Sequence, residues 1–248
     1  MKSLTNKLLA TAAVSALLTC SPVASDAQAF GGEPQDIWHG FYLGNHIGWV
    51  DNDAGVAFSA PAAGSAFNGG LGDDGIAYGL QAGINHQMGM LVVGLEADLT
   101  WMDDTSVAKF LPGGGIQQTF RQDVDYVGTI RGRIGAAINN AFLYFTGGYA
   151  FGQIDHEVQF QGAGLSTLTV DDGDSGSGYA LGGGGEMSLG VVMGLPMSAK
   201  FEYLYIDLDD STVTTPGTLA FVPTTSTFDN EIQQIRLGVN VQLGGMEY

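Results

Sequence analysis

The 248-residue chain carries 8 basic and 26 acidic residues, a net charge of −18. That balance excludes a nucleic-acid binder, which needs clustered Lys and Arg against phosphates. Glycine at 39 positions, 10% aromatics and only 14% charged residues argue against a helical protein, ordinary glycine usage being about 7%.

The chain opens with Lys2 and Lys7 around the start of an apolar run, Leu8 to Leu18, interrupted only by Thr11 and Ser15. Such a run is too short to span a bilayer as a helix, and Ala27-Gln28-Ala29 follows it as a small-x-small cleavage site. The pattern predicts a signal peptide over 1–29 and an exported domain over 30–248. A lipoprotein signal, Leu17-Leu18-Thr19-Cys20, is the weaker alternative, because Thr19 stands where a small residue is wanted. Cleavage after Ala29 removes Cys20, the one cysteine, so the exported domain has no disulfide, thiolate nucleophile or cysteine metal site. It also removes Lys2, Lys7 and Asp26, which leaves 6 basic and 25 acidic residues and a net charge near −19. Beyond the signal no 18-residue apolar run occurs, so no transmembrane helix is expected.

Period-two alternation then sets the pattern, the mark of a strand with one apolar and one polar side. A first strand near 40–50 is interrupted by Asn45. From Ile76 to Met88, the residues Ile76, Tyr78, Leu80, Ala82 and Ile84 alternate with Ala77, Gly79, Gln81, Gly83 and Asn85. The clearest strand is Leu91 to Met102, with Leu91, Val93, Leu95, Ala97, Leu99 and Trp101 opposite Val92, Gly94, Glu96, Asp98, Thr100 and Met102. Strands near 125–138, 142–152, 179–189 and 197–207 follow, the sixth diluted by Gly182 to Gly185. The last sets Ile235, Leu237, Val239, Val241 and Leu243 against Gln234, Arg236, Gly238, Asn240 and Gln242.

Connections alternate between long stretches (51–75, 103–124, 153–178 and 208–231) and short ones near 88–90, 139–141 and 190–196. Eight strands so arranged predict an all-β fold: an eight-stranded antiparallel up-and-down transmembrane β-barrel with long extracellular loops and short periplasmic turns. A water-soluble barrel is disfavoured because the polar face is also the small one, with Gly79, Gly83, Gly94, Gly135, Gly148 and Gly238, as a crowded interior requires. Trp49, Trp101, Tyr126, Phe151, Tyr179 and Tyr205 fall near the loop-side strand ends of the apolar face and are expected to form an interfacial aromatic girdle.

Four carboxylates, Glu96, Asp98, Glu186 and Glu202, and four cations, Arg131, Arg133, Lys200 and Arg236, fall on the polar faces. Unpaired charges in a low-dielectric interior are disfavoured, so equal numbers are what a filled lumen demands. The strand levels place Glu96 opposite Arg131 and Glu186 opposite Lys200. A structural ion-pair plug is favoured over paired-carboxylate catalysis.

Trp38-His39-Gly40-Phe41-Tyr42-Leu43-Gly44, Gly94-Leu95-Glu96-Ala97-Asp98, Val127-Gly128-Thr129-Ile130-Arg131-Gly132-Arg133-Ile134-Gly135, Tyr144-Phe145-Thr146-Gly147-Gly148 and Lys200-Phe201-Glu202-Tyr203-Leu204-Tyr205 stand in this order. With these stretches the chain resembles the small proteobacterial outer-membrane β-barrels, the OmpA-like transmembrane domain or "porin family" surface antigens. Arg236-x-Gly238-x-x-Val241-x-Leu243 is similar to that family's C-terminal assembly signal, with aliphatic residues where aromatics are usual and five residues beyond it. The resemblance implies a Gram-negative outer-membrane location, a role in envelope integrity and surface contact, and outer-membrane lipids, lipopolysaccharide and the assembly machinery as partners. Two alternatives remain: a surface receptor or adhesin capturing haem or a host molecule through its loops, and a narrow solute channel, which eight strands leave little room for.

No enzyme is expected. None of His39, His46, His86 and His156 has a Ser two residues on, and Gly-x-Ser-x-Gly, His-Glu-x-x-His and a phosphate loop are absent. The scattered histidines suit girdle or turn positions, and no cofactor is implied. Setting aside the four lumen carboxylates and Glu33, Asp36 and Glu247 leaves 18 acids on the loop side, opposed by Lys109 and Arg121. Divalent cations are the expected partners of these loops. Asp171-Asp172-Gly173-Asp174-Ser175-Gly176 has a calcium-loop look but lacks the downstream glutamate, so a solvated acidic surface is the preferred reading.

Overall fold

Eight antiparallel strands, each hydrogen-bonded to its sequence neighbours and the first to the last, close a barrel in the computed structural model. The structure describes residues 37–60, 64–110, 116–162, 168–215 and 223–243. The expected signal peptide, its cleavage site and Cys20 lie outside these residues. The strands are β1 (Gly40–Ala60), β2 (Ser65–Met88), β3 (Leu91–Phe110), β4 (Ile116–Ile138), β5 (Ala141–Gly162), β6 (Leu168–Val192), β7 (Leu195–Thr215) and β8 (Thr224–Gln242). The first and sixth, diluted in sequence by Asn45 and the glycine run, are paired along their length like the rest.

At one end the strands join through two-residue turns, Gly89-Met90, Asn139-Asn140 and Met193-Gly194. Hairpins this tight favour left-handed backbone, and Gly89 (φ 62°), Asn139 (φ 54°), Met193 (φ 54°) and Gly194 (φ 84°) supply it. At the other end the expectation of long loops is corrected. The stretches 51–75, 103–124, 153–178 and 208–231 are mostly ladder: Asp51 to Ala60 pairs with Asp74 to Ser65, and Gln153 to Phe160 with Ser175 to Leu168. Pairing satisfies backbone N–H and C=O groups that a loop would leave to water.

Strands of 19–25 residues are about twice what a bilayer crossing needs, since 9–11 tilted residues suffice. The surplus forms a second segment with opposite polarity. On β8 the outward residues run Thr225, Thr227, Asp229, Glu231 and Gln233, then switch to Ile235, Leu237, Val239 and Val241. Inward, Phe228 and Ile232, interleaved with buried Thr224, Ser226 and Asn230, give way to Gln234, Arg236, Gly238 and Asn240. On β1 the outward face passes from Phe41, Leu43, Ile47 and Trp49 to Asp51 and Asp53, while Val50, Val56 and Phe58 turn inward. The segment next to the two-residue turns (the stem) is apolar outside and polar inside. The far segment (the turret) is polar outside and encloses a cluster of apolar side chains, Val56, Phe58, Phe120, Val158, Val213 and Phe228, together with small polar ones such as Ser211 and Ser226. Three β-bulges fall near the junction, at Trp101/Asp104, Val124/Tyr126 and Leu208/Ser211. Each adds a residue to one strand and so exchanges which positions face inward: β7 faces Leu204, Ile206 and Leu208 inward below its bulge and Ser211 and Val213 above it.

The interior is filled in layers. Trp38, Val92, Ala137, Phe142 and Tyr144 cluster at the turn end. An ion layer follows, then Val50, Met102, Val127, Ile154, Leu204, Ile206, Leu208 and Ile232. Beneath the hairpin tips lie Val56, Phe58, Phe120, Val158, Val213 and Phe228.

Candidate functional site

The ion layer lies inside the stem, where all eight charged residues expected there converge. Their placement follows from pairing partners. Inward-pointing bulk stands opposite inward glycine: Tyr42 faces Gly83, His46 faces Gly79, Arg131 faces Gly148 and Tyr144 faces Gly184. A Cβ on Gly83 would lie 2.3 Å from the Tyr42 hydroxyl, and one on Gly79 would lie 2.4 Å from the His46 ring, so glycine makes the room these rings occupy.

Nine ion pairs join the eight groups among the described residues. Arg131 is the hub, fully buried. Its Nη2 donates to Glu96 Oε1 at 2.6 Å and to Asp98 Oδ2 at 2.8 Å, its Nη1 lies 3.2 Å from Glu202 Oε1, and its Nε donates to Thr129 at 2.8 Å. Arg133 reaches Glu96 at 3.2 Å and Glu186 at 2.5 Å, donates to the Tyr42 hydroxyl, and lies 4.0 Å from the Tyr144 ring centre. Lys200 bridges Glu96 at 2.7 Å and Glu202 at 3.3 Å. Arg236 closes the circuit to Asp98 at 2.9 Å and to Glu202.

Both pairs expected to face one another do so in register, and only one of them is a salt bridge. Glu96 and Arg131 are register partners and pair directly. Glu186 and Lys200 are also register partners, yet Glu186 pairs with Arg133 and Lys200 with Glu96 and Glu202. Long side chains in a narrow lumen reach across it, so the backbone neighbour is not the favoured partner.

Hydroxyls and amides complete the layer. Tyr42 donates to Glu96 at 2.7 Å, Tyr144 to Glu202 at 2.9 Å and Thr129 to Asp98 at 2.5 Å. The His46 ring lies 3.2 Å from Gln81 and 3.0 Å from Thr100, and Gln81 donates to Asn240 at 2.6 Å. Sequence reading missed Tyr42, His46, Gln81 and Tyr144; their signal was their place in the inward phase of the alternation. Chemically, each of the four carboxylates is paired with at least one cation.

Outside, the six expected girdle residues occupy outward positions close to the stem–turret junction, with Trp49 and Tyr179 about half exposed. Tyr78 stacks on Trp101 at 5.9 Å, Tyr149 on Phe151 at 6.2 Å, and Tyr179 lies 6.4 Å from Tyr205. Tyr78 and Tyr149 were not anticipated in this band. Immediately above it stand Asp51, Asp74, Asp125, Asp207 and Glu231; the Tyr179 hydroxyl donates to Asp207 at 2.9 Å.

The model of the outer membrane protein β-barrel domain matches residues 11–242. The chain belongs to that family. This outer-membrane barrel is 28% identical over 179 residues to a 22 kDa outer membrane protein of Rhizobium leguminosarum bv. viciae, a match covering 71% of this chain and 66% of that relative. Among solved structures it is similar to OprG of Pseudomonas aeruginosa (13% identity, 83% of this chain and 97% of that one, TM-score 0.48). It is also similar to Ail of Yersinia pestis (13%, 83% and 99%, TM-score 0.37).

The calcium-loop reading of Asp171 to Gly176 meets a structural obstacle in this barrel. These residues lie in β6, paired with Glu157 to Gly152, rather than in a loop. Among the described residues no group of three or more His, Cys, Asp or Glu is placed to hold a metal ion.

Proposed function

We propose that this protein is a non-conducting structural barrel of the outer membrane, exported by its N-terminal signal, with the two-residue turns in the periplasm and the acidic turret outside the cell. The observation that carries this reading is the circuit of nine ion pairs, in which each of the eight charges of the ion layer is matched and buried. Ion flow would need those groups separated, and breaking one buried pair costs on the order of 3–5 kcal/mol. Apolar layers stacked above and below the circuit add to the block. The aromatic band and the aliphatic outer face of the stem support contact with membrane lipid, and lipopolysaccharide fits the outer leaflet beside the turret. Reconstituted into planar bilayers, the purified protein is expected to pass no stepwise current; discrete ohmic openings would overturn the plug and restore the channel reading.

A second reading, capture of an external ligand by the turret, has one observation in its favour. Lys109 and Arg121, the two loop-side cations, line a cleft of about 280 Å³ with Thr119, Glu157 and Gln159. Loss of cell-surface ligand binding in Arg121→Glu, with unchanged folding, would favour it.

A further inference from the structure

His39 and His86, 47 residues apart in sequence, meet on the outer surface at the turn end of the stem. Their ring centroids lie 5.0 Å apart with the planes at 66°. The ladder explains the meeting. Gly40 pairs with Asn85 as the first rung of the β1–β2 ladder, so His39, the residue before it, enters the strand beside His86, the residue after Asn85. Gly40, at φ 113°, turns the chain as it enters the strand. Both side chains are exposed. Neither ring makes a hydrogen bond or ion pair among the described residues, whereas the buried His46 uses both nitrogens on Gln81 and Thr100.

From this geometry we propose that His39 and His86 form a two-imidazole site for a borderline first-row divalent ion, Cu2+ ahead of Ni2+ and Zn2+. Neutral imidazole nitrogen is the ligand such ions prefer, and the order follows their general affinity for nitrogen sites. One ion held by two ring nitrogens at about 2.0–2.1 Å, in cis tetragonal or tetrahedral geometry, sets the two ring centroids about 4.5–5 Å apart. The pair therefore stands at chelating separation already, and exposure lets small χ rotations aim both nitrogens at one point. Two protein ligands leave the remaining coordination positions to water, so the site is open and reached from the aqueous phase at the turn end. A bound ion would clip the chain entering β1 to the end of β2. It would stabilise the folded barrel by mass action, because the unfolded chain does not hold the two rings together.

The test uses the full-length exported chain, untagged and refolded in detergent, with Ni2+ alone titrated calorimetrically. One Ni2+ per chain is expected, and His39→Asn and His86→Asn are each expected to weaken binding at least ten-fold. His156→Asn, on β5, leaves it unchanged. Electron paramagnetic resonance of bound Cu2+ should show two equivalent nitrogen donors in the native chain and one in either variant. Unchanged heat-modifiable gel mobility checks that the variants fold, as expected for exposed side chains. A folded native chain that takes up no Ni2+, or binding that survives unchanged in both variants, overturns the proposal.

Discussion

Stem and turret are built from the same eight strands, yet they solve opposite solvation problems. The stem turns Leu43, Leu95, Ile130 and Leu237 outward and closes Glu96, Arg131, Lys200 and Glu202 inside. The turret turns Asp53, Asp229 and Glu231 outward and closes Phe58, Phe120 and Phe228 inside. Hydrogen bonding along the ladder is the same in both, so the backbone does not distinguish them. What differs is which solvent each face must meet. The fold is set by pairing, and the environment is written only in the phase of the alternation.

The largest effects should come from opening either interior. Arg131→Met leaves Glu96, Asp98 and Glu202 short of a shared cation and is expected to cost on the order of 3–5 kcal/mol. Phe228→Ala in the turret should cost a similar amount, about 3–5 kcal/mol, through a cavity rather than through charge. Urea unfolding of the protein refolded in lipid vesicles measures both. Pairing Arg131→Met with Glu96→Gln then separates the mechanisms: the double variant should cost less than the sum, by about 0.5–3 kcal/mol. Strict additivity would dismiss the Glu96–Arg131 coupling.

Identical substitutions on the two outer faces give the next contrast. Leu95→Arg places a cation on the aliphatic face of the stem and should cost about 2–4 kcal/mol. Thr225→Arg, exposed on the turret, should stay within about 0.5 kcal/mol. Equal costs at the two sites would mean that the membrane boundary has been drawn in the wrong place.

The strands of the stem were legible in sequence because each keeps one phase of alternation over about ten residues. The turret was read as loop for the same physical reason. At Gln233–Ile235 the apolar residues change from even to odd numbers without any break in pairing, and a reader following the apolar face loses the strand there. The bulges at Trp101/Asp104 and Leu208/Ser211 shift the phase again. Within the ion layer, residue identities could be read from the inward phase, and Glu96 with Arg131 from strand level. Partners across the lumen, such as Lys200 on β7 with Glu96 on β3, depend on barrel closure, which no local pattern encodes. The meeting of His39 and His86 depends likewise on the register of two strands separated by a long hairpin.

Smaller effects should be confined to the turret. Burial, and after it the neighbouring Asp210, holds Asp229 above the ordinary carboxylate range. Burial, with Asp53 and Asp74 beside it, does the same for Asp51. A carboxyl whose pKa is raised by folding binds its proton more tightly in the folded state, so stability should rise slightly as the pH falls into the carboxylate range. Asp229→Asn should flatten that slope, measured as the urea midpoint against pH. Smallest of all should be the response to calcium, which we expect to screen turret carboxylates weakly and to be matched by magnesium. A single micromolar calcium site abolished by Asp172→Ala would contradict this.

The acidic outer face of the turret also constrains how the barrel enters its membrane. On the proposed orientation, with the turns periplasmic, every hairpin carries its carboxylates through the hydrocarbon before the stem closes behind it. Charged side chains at the bilayer centre are costly, so on that orientation the barrier to insertion resides in the turret and not in the stem. Unassisted entry into thick, defect-free vesicles should therefore be slow, and faster where the bilayer is thinned. Shortening the hairpins would accelerate insertion while leaving the finished stem as stable as before.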